Sequence, residues 1–274
     1  MSIFACPVCG LPLQRTETAC LCPAGHSFDI ASEGYVYLLQ PNRKHSKVPG
    51  DDRKMVAARR RFLEGGYYRI FSDALSRLAE KYLPPGSPAV LDAGCGEGYY
   101  TGRLAGFLSS GGHHAELSGF DISKAAVKAA AKKYKNISFA VGSAFSIPVL
   151  SASADLLTDV FAPIVPEEFA RVVKPGGTMI LAVPSRRHLY GLKEILYEKP
   201  YENEQKDTEY PGFAFLGRVP VRGKLEMDSQ EAIRDLFAMT PYAWKTPWEG
   251  RQHLERLTSL RTEIGFDYLL YHRV

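Results

Sequence analysis

The stretch LDAGCGEGYYTGRL (91–104) limits the fold more than any other part of this chain. A strand pattern, PAVLDAG (88–94), runs into glycines at Gly94, Gly96 and Gly98, and a helical pattern follows after Glu97. Glycine at these spacings lets the backbone turn sharply and leaves its amides uncovered at a helix start. A second strand, LSGFDIS (117–123), ends near the acidic Asp121, and KAAVKAAAKKY (124–134) is a strong helix former. ISFAVGS (137–143), ADLLTDVFA (154–162) and GTMILAVP (177–184) supply three more strands. This alternation predicts an α/β fold: a Rossmann-like, mainly parallel sheet with helices on both faces.

Asp121 lies 23 residues after Gly98, where a carboxylate can accept both hydroxyls of an adenosine ribose. The turn reads G-x-G-x-G after an aspartate, not the G-x-G-x-x-G of dinucleotide enzymes. A pyrophosphate wants bare amides at a helix N-terminus. A phosphate-free ligand with a cationic centre tolerates acidic neighbours such as Asp92 and Glu97, and S-adenosylmethionine (SAM) is such a ligand. The stretch resembles motif I of the class I SAM-dependent methyltransferases, and RVVKPGGTMILAVP (171–184) resembles their turn before the fifth strand. In that fold adenine rests near the third and fourth strands, which brings in Ser143, Ala144 and VFAP (160–163) as contacts or as plain strand-end packing.

The N-terminus carries a second signal. Cys6 and Cys9 form C-x2-C, Cys22 and His26 form C-x3-H, and twelve residues separate the pairs. Two knuckle turns with that spacing present four ligands tetrahedrally to Zn²⁺. Gly10 and Gly25 give the turns their backbone freedom. Cys20 is the spare, a candidate substitute ligand. With four protein ligands no coordination position stays open, so the zinc is structural rather than a water activator. Five cysteines, four within the first 22 positions, do not make a disulfide scaffold. The net charge of +4 becomes about +3 if three thiolates (−3) bind one Zn²⁺ (+2), a balance that permits an anionic partner.

Composition fits a soluble globular protein, with 45% hydrophobic and 23% charged residues. There is no apolar run of membrane-spanning length and no secretory signal pattern at MSIFACPVCG, so no membrane partner and a cytoplasmic location are expected. Three regions follow: a zinc-binding module over 1–39, a basic linker with cleft-packing helices over 40–84, and the methyltransferase-like domain over 85–274. Within the second, QPNRKHSKVPGDDR (40–53) reads as a loop, and the helical pattern over 54–83 breaks at Gly65-Gly66 and stops at Pro84-Pro85. The last region opens with a helix and closes with FDYLLYHRV as an antiparallel edge strand.

Taken in order, the zinc cluster, FDIASEGYVYLL (28–39), PGDDRKMVAARRRFLEGGYY (49–68), LDAGCGEGYYT (91–101), RVVKPGG (171–177), RRHL (186–189) and MTPYAW (239–244) resemble, nearly end to end, the bacterial 23S ribosomal RNA guanine-N1 methyltransferases acting on the hairpin 35 loop. The resemblance implies zinc at Cys6, Cys9, Cys22 and His26, and SAM contacts at Tyr68, Gly96, Glu97 and His188. Motif I adds Asp92, Gly94, Gly98 and Asp121. Tyr68 also fits a core aromatic, and His188 a solvated surface histidine.

Guanine N1 bears a proton that must leave, so a base helps. Asp159, at a predicted strand end, is a candidate by position alone, His188 is a second, and solvent a third. The implied partner is the 23S rRNA hairpin; a homodimer is left open. Candidate RNA-facing cations are Arg43, Lys44, Lys47, Arg59, Arg60, Arg61, Arg186 and Arg187. Phe161, Tyr242 and Trp244 are candidate stacking surfaces, with core burial expected of each. A methyltransferase for a small molecule or protein and a non-enzymatic zinc adaptor stay as rivals, with a dehydrogenase behind them.

Overall fold

A computed structural model describes residues 3–40, 49–205 and 208–274. The chain begins with a three-stranded antiparallel ribbon, β1 (Gln14–Arg15), β2 (Ala19–Leu21) and β3 (Ser27–Asp29). At β4 (Val36–Tyr37) it joins the main sheet, before the 1–39 module of the sequence reading has ended. Two helices follow, α1 (Arg53–Glu64) and α2 (Arg69–Tyr82). Asp52 caps α1 by accepting from the Lys54 and Met55 amides at 2.8 and 2.9 Å, satisfying donors that a helix start leaves free.

The alternation expected from the sequence is present: β5 (Ala89–Ala93), α3 (Tyr99–Ser110), β6 (Glu116–Asp121), α4 (Lys124–Lys133), β7 (Ser138–Val141), β8 (Ala154–Val160), α5 (Pro166–Val172) and β9 (Val173–Pro184). Then come α6 (Tyr190–Leu196), β10 (Phe213–Met227), α7 (Gln230–Ala238), α8 (Tyr242–Lys245), α9 (Trp248–Glu255) and β11 (Leu260–Arg273). The eight-stranded sheet runs β10-β11-β9-β8-β5-β6-β7-β4, parallel from β4 to β9 and antiparallel at β11 and β10. Strand order reverses at β5, and the crevice beyond the carboxyl end of such a strand is where open α/β sheets bind ligands.

One expectation needs correcting. FDYLLYHRV is not the sheet edge; β11 is an inner strand, paired on one side with β9 and on the other with β10. Its residues Phe266–Tyr271 are buried, as an inner strand requires. The edge is β10, which carries Pro220 and glycines at 217 and 223. Proline lacks the ladder donor and is tolerated at an edge. Those breakers mask the strand in the sequence.

Apolar side chains fill both faces of the sheet. Phe71, Leu75, Leu104, Val127, Ile180 and Phe266 lie on one side. On the other, Leu91, Phe120, Leu157, Phe169 and Leu181 meet Ile3, Phe4, Leu13 and Cys20 of the N-terminal ribbon. Backbone bonds fasten that ribbon to the domain: Ala5 N–H donates to Pro148 O at 3.0 Å and Leu150 N–H to Ile3 O at 2.9 Å. The ribbon is therefore part of the second core. No helix among the described residues is long and apolar enough to cross a membrane.

Candidate active site and zinc centre

In the ribbon the ligand atoms of Cys6, Cys9, Cys22 and His26 all lie within 4.8 Å of one another. Cys9 Sγ is 3.7 Å from Cys22 Sγ, and His26 Nδ1 is 3.5 and 3.3 Å from the sulfurs of Cys6 and Cys22. A tetrahedral zinc with Zn–S near ~2.3 Å separates neighbouring sulfurs by roughly 3.8 Å, so the donor set fits the ion. Gly10 and Gly25 hold left-handed φ of 75° and 86° and close their turns by donating to Cys6 O and Cys22 O. Cys20 is outside the four: it sits on β2, buried in the second core, which corrects its reading as a spare ligand.

Removing the metal, by a strong chelator or Cys22→Ser, is expected to lower amide protection over Leu13–Phe28 by roughly 100-fold or more, since zinc binding supplies several kcal/mol of local order. Hydrogen exchange reads this directly, and protection on β5, β8 and β9 should outlast it.

At the switch point a cavity of about 800 Å³ opens beside the ends of β5, β6, β8 and β9. The glycine turn forms its floor. Gly94, Gly96 and Gly98 have φ of 77°, 56° and 83°. Gly94 N–H and Cys95 N–H both donate to Phe120 O at 2.9 Å, tying the turn to β6. A Cβ on Gly94 would stand 2.3 Å from the Ala162 Cβ, so only glycine fits there. A Cβ on Gly96 would meet only Arg59 Nη1, at 4.0 Å, and its open side is the cavity.

Asp121 Oδ2 accepts from Gly96 N–H at 3.0 Å and Oδ1 from Ser123 N–H at 2.7 Å. Each oxygen keeps a lone pair, and burial raises the group's pKa. Asp92 accepts from Thr158 at 3.0 Å and from Thr101, so it braces β5 against β8 and α3; burial pushes its pKa up to about 6. Glu97 is buried with Oε2 held by Arg60 at 3.2 Å and Oε1 unpartnered. Ser143 and Ala144 line the cavity at the end of β7.

Five carboxylates line this cavity (Asp51, Asp92, Glu97, Asp121 and Asp159) against Arg59 and Lys245 as cations. Arg59 is already engaged with Asp51 and Met239 O. Such a lining suits a cationic ligand and repels a pyrophosphate.

His188 is buried, not a solvated surface group; the RRHL segment turns it inward through Leu189, whose φ is 56°. Gly265 N–H donates to His188 Nδ1 at 3.2 Å. That bond needs a lone pair on Nδ1, which puts the ring proton on Nε2, where it donates to Tyr68 Oη 3.2 Å away. Burial, assisted by the Lys193 charge, lowers the His188 pKa to about 3, so the ring stays neutral. Tyr68 serves both readings offered for it. Its ring packs edge-on against Phe62 and Phe71, and its hydroxyl reaches the cavity wall.

Asp159 is 2% exposed at the end of β8. Its Oδ1 accepts from Ala162 N–H at 3.0 Å, while Oδ2 is buried with no partner. Burial, opposed by that amide and reinforced by Asp92, pushes its pKa up to about 7.

Both raised acids predict a pH dependence of stability. Below about pH 4 they are protonated folded or unfolded. Between there and their folded pKa values the unfolded chain ionises first, costing up to about 1.4 kcal/mol per pH unit and group. The ligand-free protein should thus show a higher urea midpoint at pH 5 than at pH 8, and Asp159→Asn should flatten the slope.

The arginines on α1 are a correction. Arg60 also donates to Ala129 O at 3.1 Å, and Arg61 pairs with Asp235 at 2.5 Å, so the three tie α1 to the glycine turn, α4 and α7 rather than standing free for RNA. Arg186 pairs with Glu202 at 3.2 Å and Arg187 with Glu263 at 2.8 Å, both at the surface. Arg43, Lys44 and Lys47 fall outside the described residues. Of the three stacking candidates Tyr242 is buried, but Phe161 and Trp244 are 45% and 69% exposed, against the burial expected of them.

Sequence reasoning missed Asp51, Phe145, Tyr201 and Asn203 as cavity-lining residues. The signal for Asp51 was its place in PGDDR; for Tyr201 and Asn203 no local pattern marks them.

A model for the RlmA N-terminal zinc ribbon matches residues 4–47, and a methyltransferase-domain model matches residues 87–236. The chain is 32% identical over 245 residues to a 23S rRNA (guanine(748)-N(1))-methyltransferase of Streptomyces fradiae, covering 87% of this chain and 85% of that one. It is 35% identical over 263 residues to a Micromonospora griseorubida protein named as a candidate 23S rRNA (guanine-N(1)-)-methyltransferase, covering 88% and 86%. A crystal structure of a candidate methyltransferase from Bacillus halodurans C-125 matches with a TM-score of 0.50 at 16% identity, covering 73% and 98%, a likeness of fold alone. Because the sequence likeness runs through the zinc ribbon and the methyltransferase domain alike, the chain belongs to the RlmA-type family of SAM-dependent 23S rRNA guanine-N1 methyltransferases.

Proposed function

We propose that this protein methylates N1 of a guanine in the hairpin 35 loop of 23S rRNA, the nucleus of the activity named for its Streptomyces fradiae relative. The observation that carries the reading is the acid-lined cavity at the sheet's switch point, walled by Gly96, Tyr68, His188 and the 239–242 segment. Bound SAM supplies a methyl group on a sulfonium already activated for transfer. The protein's task is alignment and removal of one proton.

Asp121 holds the ribose hydroxyls through the two lone pairs its amide bonds leave free. Ser143 and Ala144 border the adenine. Gly96 lets the backbone approach the ligand, and the neutral His188 keeps Tyr68 Oη turned so that its own proton points to the cavity. Asp92 and Glu97 add negative charge while bracing the turn and α1. Asp159 Oδ2 takes the guanine N1 proton. His188 is excluded from that task by its tautomer: Nδ1 is occupied by the Gly265 amide and Nε2 carries the hydrogen.

Incubation with radiolabelled SAM and ribosomal RNA lacking the mark tests the reading. The expected result is nuclease-sensitive label and a primer-extension stop at one loop guanine. Label in protein or in a small molecule would overturn it. No release of S-adenosylhomocysteine would favour the adaptor.

A further inference from the structure

Phe161 follows β8 directly and holds a left-handed φ of 61°. A bulky side chain adopts that conformation only where surroundings impose it, and such outliers cluster at functional sites. The surroundings are visible. Phe161 N–H donates to Ala182 O at 3.2 Å, and the Asp159 carboxylate clamps the next amide, that of Ala162. The strained backbone does not bury the ring. One side rests on Phe266, centroids 4.4 Å apart, with His188 at 5.7 Å; the ring stays 45% exposed and lines the cavity.

Two other exposed aromatics line the same cavity. Phe145 stands beside Ser143 and Ala144, at the end assigned to adenine. Tyr201 has Lys193 Nζ over its ring at 4.2 Å, so one face is taken. Phe161 alone of these three combines an imposed backbone, a rigid aromatic support and an open face, next to the side chain assigned the N1 proton.

We infer that the open face of Phe161 is the stacking platform for the target guanine once it is turned out of its RNA loop. The inference rests on the methyltransferase reading above. An enzyme acting on a base edge must unstack the nucleotide and replace the lost stacking. Every base has a π-face, so an aromatic platform fixes the plane of the guanine while polar groups address its edge. Phe266 and the bond to Ala182 keep that plane from tilting.

The test measures methyl transfer to an RNA hairpin transcript, and SAM affinity by calorimetry, for the full chain and for Phe161→Ala, Phe161→Leu, Phe161→Trp and Phe161→Gly. Phe161→Ala should lose roughly 5- to 150-fold in kcat/KM for RNA, the range of one base–aromatic stack, with SAM affinity within about twofold. Phe161→Trp should stay within about threefold of the parent and Phe161→Leu should not, because leucine fills volume without a π-face. Phe161→Gly should melt no lower than Phe161→Ala, since glycine relaxes the left-handed backbone, yet transfer no faster.

Equal transfer by the leucine and tryptophan variants, or SAM affinity falling in parallel with transfer, overturns the platform. Failure of the parent chain itself to mark the RNA strikes the underlying reading instead, and it is read in the parent arm alone.

Discussion

Asp159→Asn is expected to slow methyl transfer by roughly 10²–10⁴-fold, the contribution of a positioned general base. Its affinity for SAM should be unchanged within about twofold. The change is isosteric and keeps the acceptor for Ala162 N–H, so the turn after β8 survives. What it removes is the charge on Oδ2, the oxygen buried with no partner. A pH–rate profile supplies the second readout. Transfer by the parent should rise with slope one up to about pH 7 and then level off, following the raised pKa of Asp159. In the variant that break should vanish. If Asp159→Asn instead weakens SAM binding and leaves single-turnover transfer intact, the carboxylate serves the ligand's ammonium group and solvent takes the proton.

The second large effect belongs to Asp121→Ala, which should reduce SAM affinity by roughly 10²–10⁴-fold. Two hydrogen bonds to a charged acceptor are lost, at roughly 1.5–3 kcal/mol each. The alanine also releases the Gly96 amide, bonded to Oδ2 at 3.0 Å, so the turn loosens. Asp121→Asn separates the two contributions, since it keeps an acceptor for one amide but not the charge. A thermal-shift titration checks both variants: SAM should raise the parent's melting temperature and NAD should not. Retention of SAM binding by Asp121→Ala would move the ligand away from the glycine turn and undo the site as drawn.

How much of this was legible beforehand depends on how local each cause is. The zinc centre was written in ligand spacing, and Cys6, Cys9, Cys22 and His26 converge as the spacing requires. The glycine turn and the five parallel strands β5 to β9 were legible because strand runs, glycine positions and helix propensity act over a few residues. β10 was not, because Pro220 and its glycines obscure an edge strand whose partner, β11, follows only after three intervening helices. That same pairing turned FDYLLYHRV from an edge into an inner strand.

Charge was the least legible property. Arg59, Arg60 and Arg61 look in the sequence like a cationic surface, yet their partners lie at positions 51, 97 and 235. Nothing near them in the chain announces a carboxylate there. His188 likewise follows two arginines, and only the buried contacts with Tyr68 and Gly265 reveal a neutral, fixed tautomer. Sequence alone determined the kind of fold, the metal ligands and the place of the ligand turn, since each follows from short-range stereochemistry. The tertiary structure decided which ionisable groups are free, paired or neutral, because desolvation and pairing are set by neighbours brought together from distant parts of the chain.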